Sequence, residues 1–134
     1  LKNCYITCAV KCAPPDNKPT PPELKACTEI HLNREIETLT NARVYVALGQ
    51  IAFHAFWSNL SGRLATVEKA LFSRRPDFKH GAKISLPGNQ WLILSYHPSQ
   101  QNTFTGRLTE KMFDEVFDLA NESIERTGSS PHYL

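Results

Sequence analysis

The stretch RVYVALGQIAFHAFWSNL, residues 43–60, changes its periodicity at a single residue. Before Gly49 the run RVYVALG is β-branched and largely apolar on both faces, as a buried parallel strand requires. After it, QIAFHAFWSNL reads as a helix, so the glycine marks a tight strand-to-helix turn. QWLILSYH (90–97) has the same strand character downstream, and YITCAV (5–10) has it upstream. Alternation of this kind predicts an α/β layer fold, in which ligands bind beyond the carboxyl ends of the strands.

The intervening segments fit that layout. PPELKACTEIHLNREIETL begins after Thr20 with prolines suited to a first turn, and spaces Leu24, Cys27, Ile30, Leu32 and Ile36 near one face. KISLPGNQWLILSYH contains a turn through Pro87–Asn89, so the strand ending at His97 gains an antiparallel neighbour. The last helix starts at a Thr109 cap, and Met112, Phe113, Val116, Phe117, Ala120 and Ile124 form a core-facing stripe. Two polar segments, KCAPPDNKPTPP and HPSQQNTFTGRL, then follow the first and last strands and are expected to face one crevice.

With 134 residues the chain has the length of one domain, and 41% hydrophobic with 21% charged residues places it among ordinary globular proteins. The longest apolar run, VYVALGQIAFHAFW, is interrupted by Gly49, Gln50 and His54 and is too short to cross a bilayer. No secretory leader is recognisable. A soluble protein without a membrane partner is expected. Net charge is +2, but its distribution matters more: Lys11, Lys18 and Lys25 punctuate the first quarter, and SRRPDFKHGAK gathers five basic or imidazole side chains. Either cluster can be a solvated loop or a polyanion contact.

Cys4, Cys8 and Cys12 recur every fourth residue, and Cys27 follows later. Four residues of strand span about 13 Å, whereas thiolates sharing a zinc ion lie about 4 Å apart. At most one of the first three therefore serves a single centre. Cys12, where the strand meets the Pro-rich loop, is the best candidate, with Cys27 on the next helix. Spacing alone leaves metal ligation and ordinary buried thiols both open.

The strings YITCAVKCAPPDNKPTPPELKAC (5–27) and LSYHPSQQNTFTGRLT (94–109), in this order, resemble the uracil-DNA glycosylase superfamily, most closely its iron-sulfur type B branch, also called family five. The resemblance implies a three-layer α/β/α fold around a central, mainly parallel sheet. It implies removal of uracil or other deaminated bases from DNA by a monomeric enzyme of the cytoplasm and nucleoid. Cys12 and Cys27 match two of the four cysteines that hold the family's [4Fe-4S] cluster. His97 matches the histidine that opens the DNA-penetrating loop and contacts the target base; Asn17 and Asn102 match two asparagines of the same pocket. Cys8 falls where this branch carries a small residue and other branches an asparagine, so a thiol replaces an amide that reads the base. The family's first motif, a Gly-Leu-Ala-Pro strand end with a catalytic aspartate, has no counterpart, and neither do two cluster cysteines. The chain therefore resembles the C-terminal part of a longer enzyme.

The chemistry needs such residues. A base inside a duplex must be extruded before its bond to the sugar can be hydrolysed, at an unstacking cost of a few kcal/mol. Pro98, Ser99, Gln100, Gln101, Thr103, Thr105 and Arg107 are the expected DNA-facing residues: Pro98 restrains the loop, the amides engage the gap, and Thr103, Thr105 and Arg107 grip phosphates. As the bond breaks, negative charge grows on the departing base, and a donor such as His97 stabilises it. Asp16 is the only acid in either polar loop and reads as a turn residue, so the water-activating carboxylate is expected elsewhere. No nucleophile elbow surrounds any serine. Competing readings are a catalytically silent DNA-binding relative, which would lack the carboxylate, and an unrelated α/β metal-binding domain.

Overall fold

The computed structural model describes residues 3–11 and 13–128. Contacts divide them into two compact units: residues up to Thr40 with His54–Arg75, and Asn41–Phe53 with the residues from Pro76 onward.

The second unit is built on a mixed three-stranded sheet. Strand β1 (Val44–Leu48) lies parallel to β3 (Gln90–Ser95), with Val44 opposite Trp91 and Leu48 opposite Ser95. Strand β2 (Lys83–Leu86) pairs antiparallel on the other side of β3, giving the order β1-β3-β2. The hairpin turn falls at the expected residues, where Gly88 and Asn89 supply left-handed backbone at φ 76° and 58°. β3 is the centre: Leu92, Ile93, Leu94 and Ser95 are all fully buried. Each such aliphatic side chain contributes about 1.5–3 kcal/mol.

The long terminal helix covers one face of this sheet. It spans Glu110–Gly128, and Thr109 opens it by accepting the Met112 N–H on its hydroxyl. Val116 and Ala120 pack with Ile93, and Val44, Val46 and Leu119 close round them. The rest of the expected stripe is only partly used, since Phe117 and Ile124 remain exposed.

In the first unit, helix α1 (Pro21–Cys27) continues through a wide π-type turn, Thr28–Leu32, into α2 (Asn33–Thr38). The predicted start is correct: the Glu23 carboxylate accepts from both the backbone N–H and the hydroxyl of Thr20. Cys27, Leu32 and Ile36 turn inward. Helix α3 (Gln50–Arg63) begins in the second unit and continues in the first, where Trp57 packs on Phe72 before and beyond the short α4 (Thr66–Leu71).

The first predicted strand does not form. Among the described residues, 3–11 carry no ladder, and Tyr5 and Ile6 are exposed. A strand needs a neighbour to satisfy its backbone, and no described strand pairs with this segment. It is tied down by side chains instead. The Glu35 carboxylate accepts from Tyr5 (3.1 Å), Thr7 (2.6 Å) and Lys11 (2.7 Å). Hydrogen bonds from Lys11 and Thr7 hold Glu35 below the ordinary carboxylate range, and the same contact raises Lys11. With the strand gone, the 13 Å-per-four-residues spacing that separated Cys4, Cys8 and Cys12 loses its premise. The architecture is α/β with a small mixed sheet, and no described helix is long and apolar enough to cross a membrane.

Candidate active site

β3 ends where its chain turns polar, and Gly49 shapes that end. Its N–H donates to the Ser95 carbonyl at 2.8 Å, and its φ of +91° is a left-handed value that any side chain would strain. A Cβ at this position would lie 3.0 Å from the Cβ of His97 and 3.7 Å from its ring. The strand-to-helix turn thus leaves a bare backbone face against which the exposed His97 rests.

The loop after His97 is braced by its own hydrogen bonds. The His97 carbonyl accepts from the Ser99 N–H and from the Asn102 amide, both at 2.8 Å. Ser99 caps the short helix α5 (Gln100–Phe104) by accepting the Asn102 N–H at 3.3 Å. Such a cap contributes about 1 kcal/mol. The Asn102 carbonyl then accepts from the N–H of Leu108, a buried anchor. Asn102 therefore fastens both ends of the loop, and its amide donor faces the protein.

Tyr96, just before His97, is held from the side. Its N–H donates to His80 Nδ1 at 3.0 Å, and the two rings stack at 4.9 Å and 22°. That bond makes Nδ1 the acceptor and leaves the ring proton on Nε2. The Arg107 guanidinium lies 4.8 Å from the centre of the Tyr96 ring, and Phe78 and then Phe53 continue the aromatic row. His80 is half-buried. Nothing local announces this role, because the partner lies sixteen residues away.

His97, Pro98, Ser99, Gln100, Gln101, Asn102, Thr103, Thr105 and Arg107 are thus brought together beyond β3. Within that group the threonines differ from expectation in one respect: Thr103 donates to the Ser99 and Gln100 carbonyls, and Thr105 to Gln101. Their hydroxyl protons face the backbone. Phe104, which the sequence reading passed over, is 82% exposed at the end of α5. Its signal was an aromatic in an otherwise polar stretch.

The remaining candidates lie in the first unit. Asn17 closes a short 3-10 turn, Pro15–Asn17, in which Asp16 takes a left-handed φ of 55°, as a turn residue can. The Asn17 side chain and Cys12 lie outside the described residues. Cys8 is exposed and Cys27 is buried at the end of α1. Among the described residues no group of three His, Cys, Asp or Glu side chains can hold a metal ion. Burial and the charge of Arg75 hold His54 below the ordinary imidazole range, in keeping with a structural role. Trp57 and Trp91 are packing residues, Trp91 lying under the Lys83 ammonium at 4.1 Å.

A strand-end histidine on a glycine turn, followed by a capped polar loop, sits where α/β proteins bind ligands. The chain belongs to the uracil DNA glycosylase superfamily, whose model matches residues 1–121. Among curated relatives it is similar to the type-5 uracil-DNA glycosylase of Thermus thermophilus, 50% identical over 119 residues, or 87% of this chain and 48% of that one. It is also similar to the type-5 uracil-DNA glycosylases of Mycobacterium bovis, 42% identical over 84% of this chain and 39% of that one, and Pyrobaculum aerophilum, 41% identical over 84% and 43%. The chain spans less than half the length of these relatives.

Proposed function

We propose that this protein removes uracil, or other deaminated bases, from DNA by hydrolysing the bond between base and sugar. The observation that carries this reading is the exposed His97, seated on Gly49 at the carboxyl end of β3 with its own carbonyl doubly hydrogen-bonded. A side chain so rooted can meet an extruded base without reorganising. It donates a hydrogen bond to a carbonyl oxygen of the base, and that bond strengthens as the base departs with negative charge. The resemblance gives base-reading roles to Asn17 and Cys8, and Asn102 keeps the His97 loop in register. The braced loop, with Gln100, Gln101 and Phe104 facing outward, occupies the gap left in the duplex.

Asp16 is taken up by a turn, and the resemblance assigns the water-activating carboxylate to a motif that has no counterpart among these residues. The same holds for two cluster cysteines. Buried Cys27 suits a thiolate ligand, and together with Cys12 it would hold half of a [4Fe-4S] cluster, whose contribution is to order the Pro-rich loop. β1 is half-buried and parallel yet outermost in the described sheet, which favours a further strand beyond it and the three-layer, mainly parallel architecture. The protein would work as a monomer on cytoplasmic, nucleoid DNA.

The test is excision by the full-length protein from uracil-containing duplex, read as strand cleavage after alkali. His97→Ala should lower the single-turnover rate about 10²–10³-fold, the loss typical of one oxyanion donor. An unchanged rate would refute the role of His97, and no excision by the wild type would refute the function.

A further inference from the structure

We propose that Tyr96 and His80 are positioning residues that hold the Arg107 guanidinium ready as a clamp for one DNA phosphate beside His97. The inference rests on the DNA-processing reading above and adds the device that fixes the nucleic acid next to the reacting base.

Three observations meet here. The first is that Arg107 is exposed, and among the described residues no carboxylate pairs with it. Its charge is therefore available to an anion, and the planar fork of donors matches a phosphate better than any other basic side chain does. The second is that the guanidinium is not left to wander, because it lies over the Tyr96 ring at 4.8 Å. Tyr96 is itself immobilised by the His80 stack and by the bond from its N–H to His80 Nδ1. The third is that the backbone around Arg107 is pinned on both sides: the Gly106 N–H donates to Thr103 at 3.2 Å and the Leu108 N–H to Asn102 at 2.9 Å. Asn102 is also the residue whose amide braces His97. Arg107 and His97 thus hang from one rigid frame, through Tyr96 on one side and Asn102 on the other. A phosphate gripped by Arg107 is thereby registered against the imidazole. A long cationic side chain ordinarily loses rotamer freedom when it binds, and the ring removes much of that cost in advance.

The experiment is equilibrium binding of the full-length protein to a uracil-containing duplex over a series of potassium chloride concentrations. Each phosphate neutralised contributes about 0.9 to the slope of log affinity against log salt. Arg107→Ala, a surface change, should lower the slope by about that amount. Tyr96→Leu and His80→Ala should lose the same increment although both keep Arg107, Tyr96→Phe should retain it, and Tyr96→Leu with Arg107→Ala should lose no more than Arg107→Ala alone. A structural defect would weaken binding without changing the slope. A wild-type slope in Arg107→Ala overturns the clamp, and a wild-type slope in Tyr96→Leu overturns the positioning role. A wild type that binds no DNA overturns the glycosylase reading as well, which separates the two failures.

Discussion

Replacing Gly49 by alanine tests the site at its most constrained point. The added methyl would stand 3.0 Å from the His97 Cβ. Carbon atoms prefer about 3.5–4.0 Å, so His97 or the start of α3 must retreat by roughly 0.5–1 Å. The left-handed φ of +91° adds strain of about 1–3 kcal/mol. Displacing a catalytic group by about 1 Å can cost on the order of 10²-fold in rate. Gly49→Ala should therefore lose about 1–3 kcal/mol in denaturant unfolding, and single-turnover excision from uracil-containing duplex should fall by up to about 10²-fold. Gly88→Ala is the matched control: its φ is +76°, but nothing lies within 4 Å of the added carbon. It should show the stability loss with a wild-type rate. If Gly49→Ala is destabilised yet excises within twofold of the wild type, the position of His97 does not limit the chemistry and the reasoning fails.

Two further outcomes follow from hydrogen bonds already described. Asn102→Ala removes the amide donor on the His97 carbonyl; stability should fall by about 1 kcal/mol and excision roughly fivefold, in proportion to that energy. Asn102→Asp, which places a carboxylate against the same carbonyl, should be slower than Asn102→Ala in the same single-turnover assay, and a faster rate would sink the bracing role. Glu35 governs the first segment. Its folded pKa is depressed, so its contribution is present above the ordinary value of 4.5 and is lost as pH falls through the folded value. Lys11 is raised, so its share persists below 10.5 and is lost as pH rises through its own folded value. Protection of residues 5–11 against hydrogen exchange, taken relative to the intrinsic rate at each pH, should fall at acid pH, and Glu35→Gln should show that faster exchange at neutral pH, for a cost of about 0.2–1 kcal/mol. Equal exchange in variant and wild type at pH 7 would show that the tether does no such job.

Local pattern carried much of the fold. The Gly49 switch, the Pro87–Asn89 turn, the Thr20 start and the Thr109 cap each depend on neighbours within a few residues, and each appears where the sequence places it. The segment 5–10 shows why the same method fails elsewhere: β-branched residues advertise an ability to pair, but a ladder depends on a partner that no window of sequence contains. The distance argument for the cysteines rested on the same missing ladder. In the site, His97 and its loop are legible as a polar string at a strand end. Gly49 against His97 and His80 under Tyr96 are not, because these contacts cross long stretches of chain and arise only once β1, β3 and the preceding loop lie side by side.

Thr103 within α5 and Thr105 just beyond it spend their hydroxyls on the loop itself. With the hydroxyl protons of Thr103 and Thr105 directed at carbonyls, the short helix offers uncharged amides and the ring of Phe104 to its surroundings, and only Arg107 brings formal charge. Grip supplied by stacking and amides survives concentrated electrolyte, whereas grip supplied by a guanidinium fades with it. Raising the ionic strength would therefore peel away one half of this apparatus and leave the other in isolation, a separation that needs no mutation.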